Sequence, residues 1–134
     1  MTARQRNTTV VNNLQQLLFV LRGADMQSIA DQAFAKVGTF TDYEIAKATA
    51  KRKTGGASVA CTGGVYTGAA KTGSALVAAT QSWLGLSGAG KIQQAALAAV
   101  VGTDAQSATP ILSLTTGSTA ACTADIFIFG VILD

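Results

Sequence analysis

The string Gly85-Leu86-Ser87-Gly88-Ala89-Gly90-Lys91-Ile92 matches the G-x-x-x-x-G-K part of a phosphate-binding loop. In such a loop, successive backbone N–H groups cradle phosphate oxygens, the lysine reaches the outer phosphates, and a following Ser or Thr holds magnesium. Here Ile92 stands where that hydroxyl is needed, and no apolar strand ends in a carboxylate suited to hold the metal. A Gly-rich turn between two strands is the preferred reading, with nucleotide binding through Gly85 to Lys91 as a remote alternative.

Asp42 and Glu44 stand two apart, on one face if residues 42–52 form a strand. General acid–base work needs a pocket and shifted pKa values as well, so partnership with Lys47 and Lys51, or plain solvation, is the simpler expectation. The run Lys51-Arg52-Lys53 precedes Thr54-Gly55-Gly56 and reads as a strand end or turn. It is either solvated or an electrostatic contact to an acidic protein surface or packaged nucleic acid. Cys61 and Cys122 share the string Ala-Cys-Thr but lack CxxC spacing. They are either small buried apolar side chains or a bridge between neighbouring strands or subunits, and both alternatives stay open. The chain has no His, which excludes Ser–His and Cys–His nucleophiles and any His-containing zinc site. Catalytic residues, cofactors and metal ligands are therefore all expected to be absent.

The 134 residues suffice for one domain and one core. Hydrophobic residues make up 49% and charged residues only 13%, about half the usual share of ~25%. Much of the exterior is left to Thr, Ser, Gln and Gly, which suits lasting contact with partners better than solubility through charge. The net charge of +3 comes from few acids and not from a dense basic stripe. With eight aromatic residues in all, and Trp83 in apolar context, sequence-specific nucleic-acid binding is disfavoured. The longest strongly apolar runs, Leu17 to Leu21 and Ile126 to Leu133, fall well short of the ~18 residues of a membrane span. A signal peptide also fits poorly, so synthesis in the cytosol is expected.

The polar segment Met1 to Asn7, with Arg4 and Arg6, reads as an arm, and residues 1–23 as arm plus first apolar segment. Leu14 to Leu21 fits helix or strand, Gly23 is a candidate helix stop, and residues 25–37 carry apolar residues on one helical face after Asp25, which predicts a short helix. Beyond Gly38 helical periods disappear. Thr-Gly pairs at 54–55, 62–63, 67–68, 72–73 and 116–117 mark turns, and strands are predicted near 43–52, 58–66, 74–84, 91–101, 110–116 and 123–133. The fold class is mainly β: one antiparallel β-sandwich or jelly-roll-like domain over residues 24–134. The last strand is apolar on both faces, as expected at a sheet centre or under another subunit.

Several strings together resemble small tailed-bacteriophage virion proteins. They are Ala24-Asp25-Met26-Gln27-Ser28-Ile29-Ala30-Asp31-Gln32-Ala33, Gly63-Gly64-Val65-Tyr66-Thr67-Gly68-Ala69-Ala70-Lys71-Thr72-Gly73, Leu112-Ser113-Leu114-Thr115-Thr116 and Ala124-Asp125-Ile126-Phe127-Ile128-Phe129-Gly130. The chain is similar over about residues 24–133 to β-sandwich decoration, or cement, proteins of icosahedral heads. The matching strings are turn chemistry and strand patterning, and no functional residue carries over. The resemblance implies a non-enzymatic structural protein on the capsid surface of the virion, made in the host bacterial cytoplasm. Its implied partners are the phage's major capsid protein and further copies of itself, as dimer or trimer, with no specific nucleic acid and no membrane. The rival placement is a tail, connector or head-fibre component. Arg4, Arg6, Lys51, Arg52 and Lys53 are the candidate contacts to capsid or partner.

Overall fold

The alternation in Cys122–Ile132 decides the architecture. Cys122, Ala124, Ile126, Ile128 and Gly130 are buried, while Thr123, Asp125, Phe127, Phe129 and Val131 are half-buried on the opposite face, the period of two expected of a strand. The chain, seen in a computed structural model, is described over residues 15–55, 60–86, 92–98 and 109–133. Among these the strands are β1 (Gln16–Asp25), β2 (Gln32–Ala33), β3 (Ala35–Lys36), β4 (Tyr43–Gly55), β5 (Thr62–Tyr66), β6 (Ala75–Val77), β7 (Ile92–Ala95), β8 (Ile111–Thr116) and β9 (Cys122–Ile132). One sheet runs β3-β1-β9-β4-β7 and the other β2-β8-β5-β6, with every pairing antiparallel. The protein is a mainly-β, single-domain sandwich, and β9 is its central strand.

Both sheets contribute to one core. Leu18, Phe19, Tyr43, Ile45, Ile126 and Ile128 come from the five-stranded sheet, and Val65, Leu76, Val77, Leu112 and Leu114 from the other. Phe19, Phe40 and Tyr43 meet edge-to-face with centroids 5.3–5.6 Å apart. Each such pair adds about 0.5–1.5 kcal/mol beyond its buried area. Burial also pushes the Tyr43 hydroxyl up to about 12.

Register irregularities adjust the long strands to β9, two in β1 and two in β4. Leu17 and Phe19 face Phe129 and Ile128, so Leu18 is the extra residue in β1; Ile45 and Lys47 face Gly130 and Phe129, so Ala46 is the extra residue in β4. That is why Leu18 and Phe19, although consecutive, are both buried.

The structure corrects several expectations. Residues 16–25 are strand, so the first apolar segment is an integral part of the sandwich and a division at residue 23 falls inside β1. Gly23 ends no helix: at φ +64° it lies in a second irregularity of β1 and donates its N–H to an Asp125 carboxylate oxygen at 2.7 Å. The helix expected over 25–37 is absent. Asp25 does cap a turn, accepting the Gln27 N–H at 3.0 Å, but the Gln32 amide then bridges the N–H and C=O of Asp25 at 2.8 and 2.9 Å. Distant partners take the next backbone groups: Phe34 N–H goes to the Pro110 carbonyl and Val37 N–H to the Leu18 carbonyl. The segment thus crosses from one sheet to the other through β2 and β3, leaving Ile29 62% exposed. Thr62-Gly63 opens β5 instead of turning, and the predicted strand over 74–84 stops at Val77. Trp83 is in the core as expected, fully buried but outside any strand.

Candidate docking face

Strand pairing puts a defined set of residues on the outside of the five-stranded sheet. One row across it reads Ala35, Val20, Phe127, Thr49 and Gln94, and the next reads Leu17, Phe129 and Lys47. Val131 lies beside Glu44, and Asp125 lies between Lys51 and the end of β1. Leu17, Val20, Phe127, Phe129 and Val131 are all half-buried, so the centre of this face is apolar and partly open. Cations roof the two rings, with Arg22 5.4 Å from the Phe127 centroid and Lys47 5.0 Å from that of Phe129.

Asp125 makes both ion pairs found among the described residues. One oxygen lies 3.5 Å from Arg22 and the other 4.0 Å from Lys53, and it also holds the Gly23 N–H. The Arg22 and Lys53 side chains stay 64% and 52% exposed, so these contacts are screened and stabilise the fold by under about 1 kcal/mol each. Their main effect is to hold cationic heads around an apolar centre.

The cationic run expected at a strand end lies inside β4, which continues to Gly55. Lys51 and Lys53 are exposed on the outer face, whereas Arg52, opposite the buried Ala124, is directed to the other side. There its charge pulls the Cys122 thiol down, against the burial that dominates and pushes it up. Arg4 and Arg6 lie outside the described residues and Arg52 faces the other side, so of the expected contact set the outer face carries Lys51 and Lys53. Asp42 immediately precedes β4 and Glu44 lies within it; both are exposed, on either side of the buried Tyr43, and the Asp42 carbonyl accepts the Leu133 N–H at 2.9 Å.

Comparisons with family models, curated proteins and solved structures give no match.

The phosphate-loop frame does not form in the part that is described. Leu84–Leu86 is a 3-10 turn, residues 87–91 lie outside the described residues, and from Ile92 the chain runs as strand β7 where a helix is required. Among the described residues there is no pocket, no His/Cys/Asp/Glu group suited to a metal, and no helix long and apolar enough to cross a membrane.

Both cysteines are free and buried. The Met26 backbone sits between them: its N–H goes to the Cys122 carbonyl at 3.0 Å, and its carbonyl faces the Cys61 thiol at 3.5 Å. Burial, reinforced by the neighbouring Cys122, pushes the Cys61 thiol from its ordinary 9.0 up to about 11. Both thiols are expected to resist iodoacetamide in the native protein at pH 8 and to react fully in denaturant, as read by intact mass. Rapid native labelling of Cys61 would contradict its burial. Above pH 9 the unfolded chain ionises this thiol before the folded one does. Stability that is whole below pH 9 therefore falls as pH rises towards about 11.

One polar cluster has no counterpart in the sequence reading. Lys71 donates to the buried Ser113 hydroxyl at 3.1 Å, and Asp31 accepts the Ala70 N–H at 2.8 Å. That backbone bond, then a bond to Ser113 and the Lys71 charge, lower the Asp31 pKa against opposing desolvation. Ala70 and Lys71 have φ of +54° and +63°, a left-handed conformation costing roughly 1–2 kcal/mol per non-glycine residue. The cluster offsets this strain and ties the β5–β6 connection to β8. Gly68 and Thr72 around the 3-10 turn give no hint in sequence that a residue as distant as Asp31 completes it.

Proposed function

We propose that this chain is a non-enzymatic structural protein of a tailed-phage particle, a decoration or cement protein that binds the outside of the head and stabilises it through repeated contacts. The observation that carries this reading is the outer face of the five-stranded sheet, where Phe127, Phe129 and Val131 of the central strand stay partly open beside Leu17 and Val20. Antiparallel sheets normally face water with polar residues, so a partly open apolar outer face supports a reading in which a partner covers it. The strings resembling virion proteins support the same reading, since the final one, Ala124 to Gly130, is the central part of β9. A cement protein acts by multiplying modest contacts over a symmetric lattice, and a flat sheet face suits that role. The major capsid protein is the proposed partner, with further copies of the chain as neighbours.

Cryo-electron microscopy of purified particles containing the chain tests this. Hundreds of copies clustered about the local symmetry axes of the head are expected. A handful at a vertex or on the tail would replace the reading with a connector or fibre role.

A further inference from the structure

We infer that the outer face of the five-stranded sheet docks onto an acidic protein surface with an apolar centre, an assignment that rests on the decoration reading and names the chemistry of its partner. The face carries Arg22, Lys47, Lys51 and Lys53 against Glu44 and Asp125. Asp125 is already committed to Arg22, Lys53 and the Gly23 N–H, and Glu44 offsets at most one further charge, so a net positive charge at Lys47 and Lys51 is left to be matched from outside. These cations rim the half-buried column of Leu17, Val20, Phe127, Phe129 and Val131. An apolar centre inside a polar, charged rim is the usual anatomy of a protein interface.

Charge decides among the possible occupants. A second copy stacked face to face by two-fold symmetry would set two identical cation-rich rims against each other, with Glu44 and Asp125, and Asp42 at the edge, as the carboxylates among the described residues to relieve them. Single-stranded nucleic acid would match the charge but needs open ring faces, and Arg22 and Lys47 cover those of Phe127 and Phe129. The aliphatic members of the column also offer bases nothing to stack on. An acidic protein surface satisfies both parts: its carboxylates meet the cations, and its apolar residues meet the aliphatic members of the column, Leu17, Val20 and Val131.

The test uses intact particles carrying the chain, treated with a water-soluble carbodiimide, which joins a lysine amine to a carboxylate only where the two already touch. Mass spectrometry is expected to find Lys47, Lys51 or Lys53 linked to Asp or Glu of a different particle protein. The recombinant variant carrying Lys51→Glu and Lys53→Glu, checked for folding by circular dichroism, is expected to rebind stripped particles at least about 10-fold more weakly, and the wild-type chain to lose affinity as salt rises. Particles on which these lysines stay open to acetylation, with cross-links only elsewhere, would overturn the docking face while leaving the decoration role standing. Links from Lys51 to Glu44 or Asp125 that join isotopically light and heavy copies mixed before rebinding, and so are not the intrachain Lys51–Asp125 neighbours, would replace the partner with the chain itself. Salt-sensitive binding of a single-stranded DNA 20-mer that the double variant abolishes would replace it with nucleic acid. Absence of the chain from particles would overturn the decoration reading, and the partner with it.

Discussion

Replacing Trp83 with alanine is expected to lower the unfolding free energy by about 3–5 kcal/mol, a large part of the roughly 5–15 kcal/mol typical of a domain. The indole is fully buried, and its Nε1–H donates to the Gly63 carbonyl at 3.1 Å. The Trp83 N–H also goes to the Cys61 carbonyl at 2.9 Å, and the adjacent Ser82 bridges to Thr62. One residue thus fills the core and anchors the entry to β5. Truncation opens a cavity and strands a buried acceptor together. Trp83→Phe keeps most of the volume and loses mainly the hydrogen bond, so a smaller loss of about 1–3 kcal/mol is expected. Urea denaturation followed by circular dichroism measures both. A Trp83→Ala loss under about 1 kcal/mol would mean that the indole is not the centre of that packing.

Trp83 also marks the limit of what residue patterning can convey. Its burial follows from its size and apolar context, but its position outside a strand depends on a turn at Ala78–Gln81 that breaks the Ala- and Thr-rich run. β8 and β9 are legible nearly to the residue because β-branched and aromatic side chains are concentrated in them, above all in Ile126–Phe129. The helix expected over 25–37 has the correct spacing of apolar residues. What cancels it are bonds from Pro110 and Leu18, partners that no local window contains, together with the Gln32 side chain from within the segment. The same holds for β1, where helix and strand periods both fit until Leu18 is recognised as a bulge, and the bulge is defined by register against β9.

The candidate face is half legible. A final strand apolar on both sides points to a central position or a covering subunit, and the central position is what the sheet order shows. Lys51 and Lys53 stand out as members of a charge run, but Arg52 between them belongs to the other side. That division is invisible until the run is known to be strand. Arg22 and Lys47 do not stand out as contact residues, since a single cation next to an apolar stretch is ordinary; their meaning comes from the rings they cover across strand boundaries.

Gly130→Val is expected to cost about 3 kcal/mol, the upper end of overpacking penalties, because the position is closed on two sides. A β-carbon there would run into the Glu44 carbonyl of β4 and the Leu18 side chain of β1. The two obstacles differ in kind. Leu18 is the extra residue of the β1 bulge and swings into the space that Gly130 leaves empty, so it can be trimmed. The Glu44 carbonyl belongs to the backbone beside the β4 bulge and cannot give without breaking the pairing of Ile45 with Gly130. A double-mutant cycle separates them: with Leu18→Ala in place, part of the Gly130→Val penalty should be relieved, leaving a remainder owed to the carbonyl. Strict additivity of the two substitutions would show that Leu18 does not occupy that space. The relief has a functional reach, because the bulges at Leu18 and Ala46 both lie against the Ile128–Gly130 stretch and place Leu17 and Lys47 beside the outward Phe129. A variant that straightens either bulge shifts its strand by one residue against β9 and turns that strand's own outer residues towards the core. Gly130 therefore couples the packing between the sheets to the apolar centre of the docking face, and Gly130→Val should weaken particle binding even under conditions where the chain stays folded.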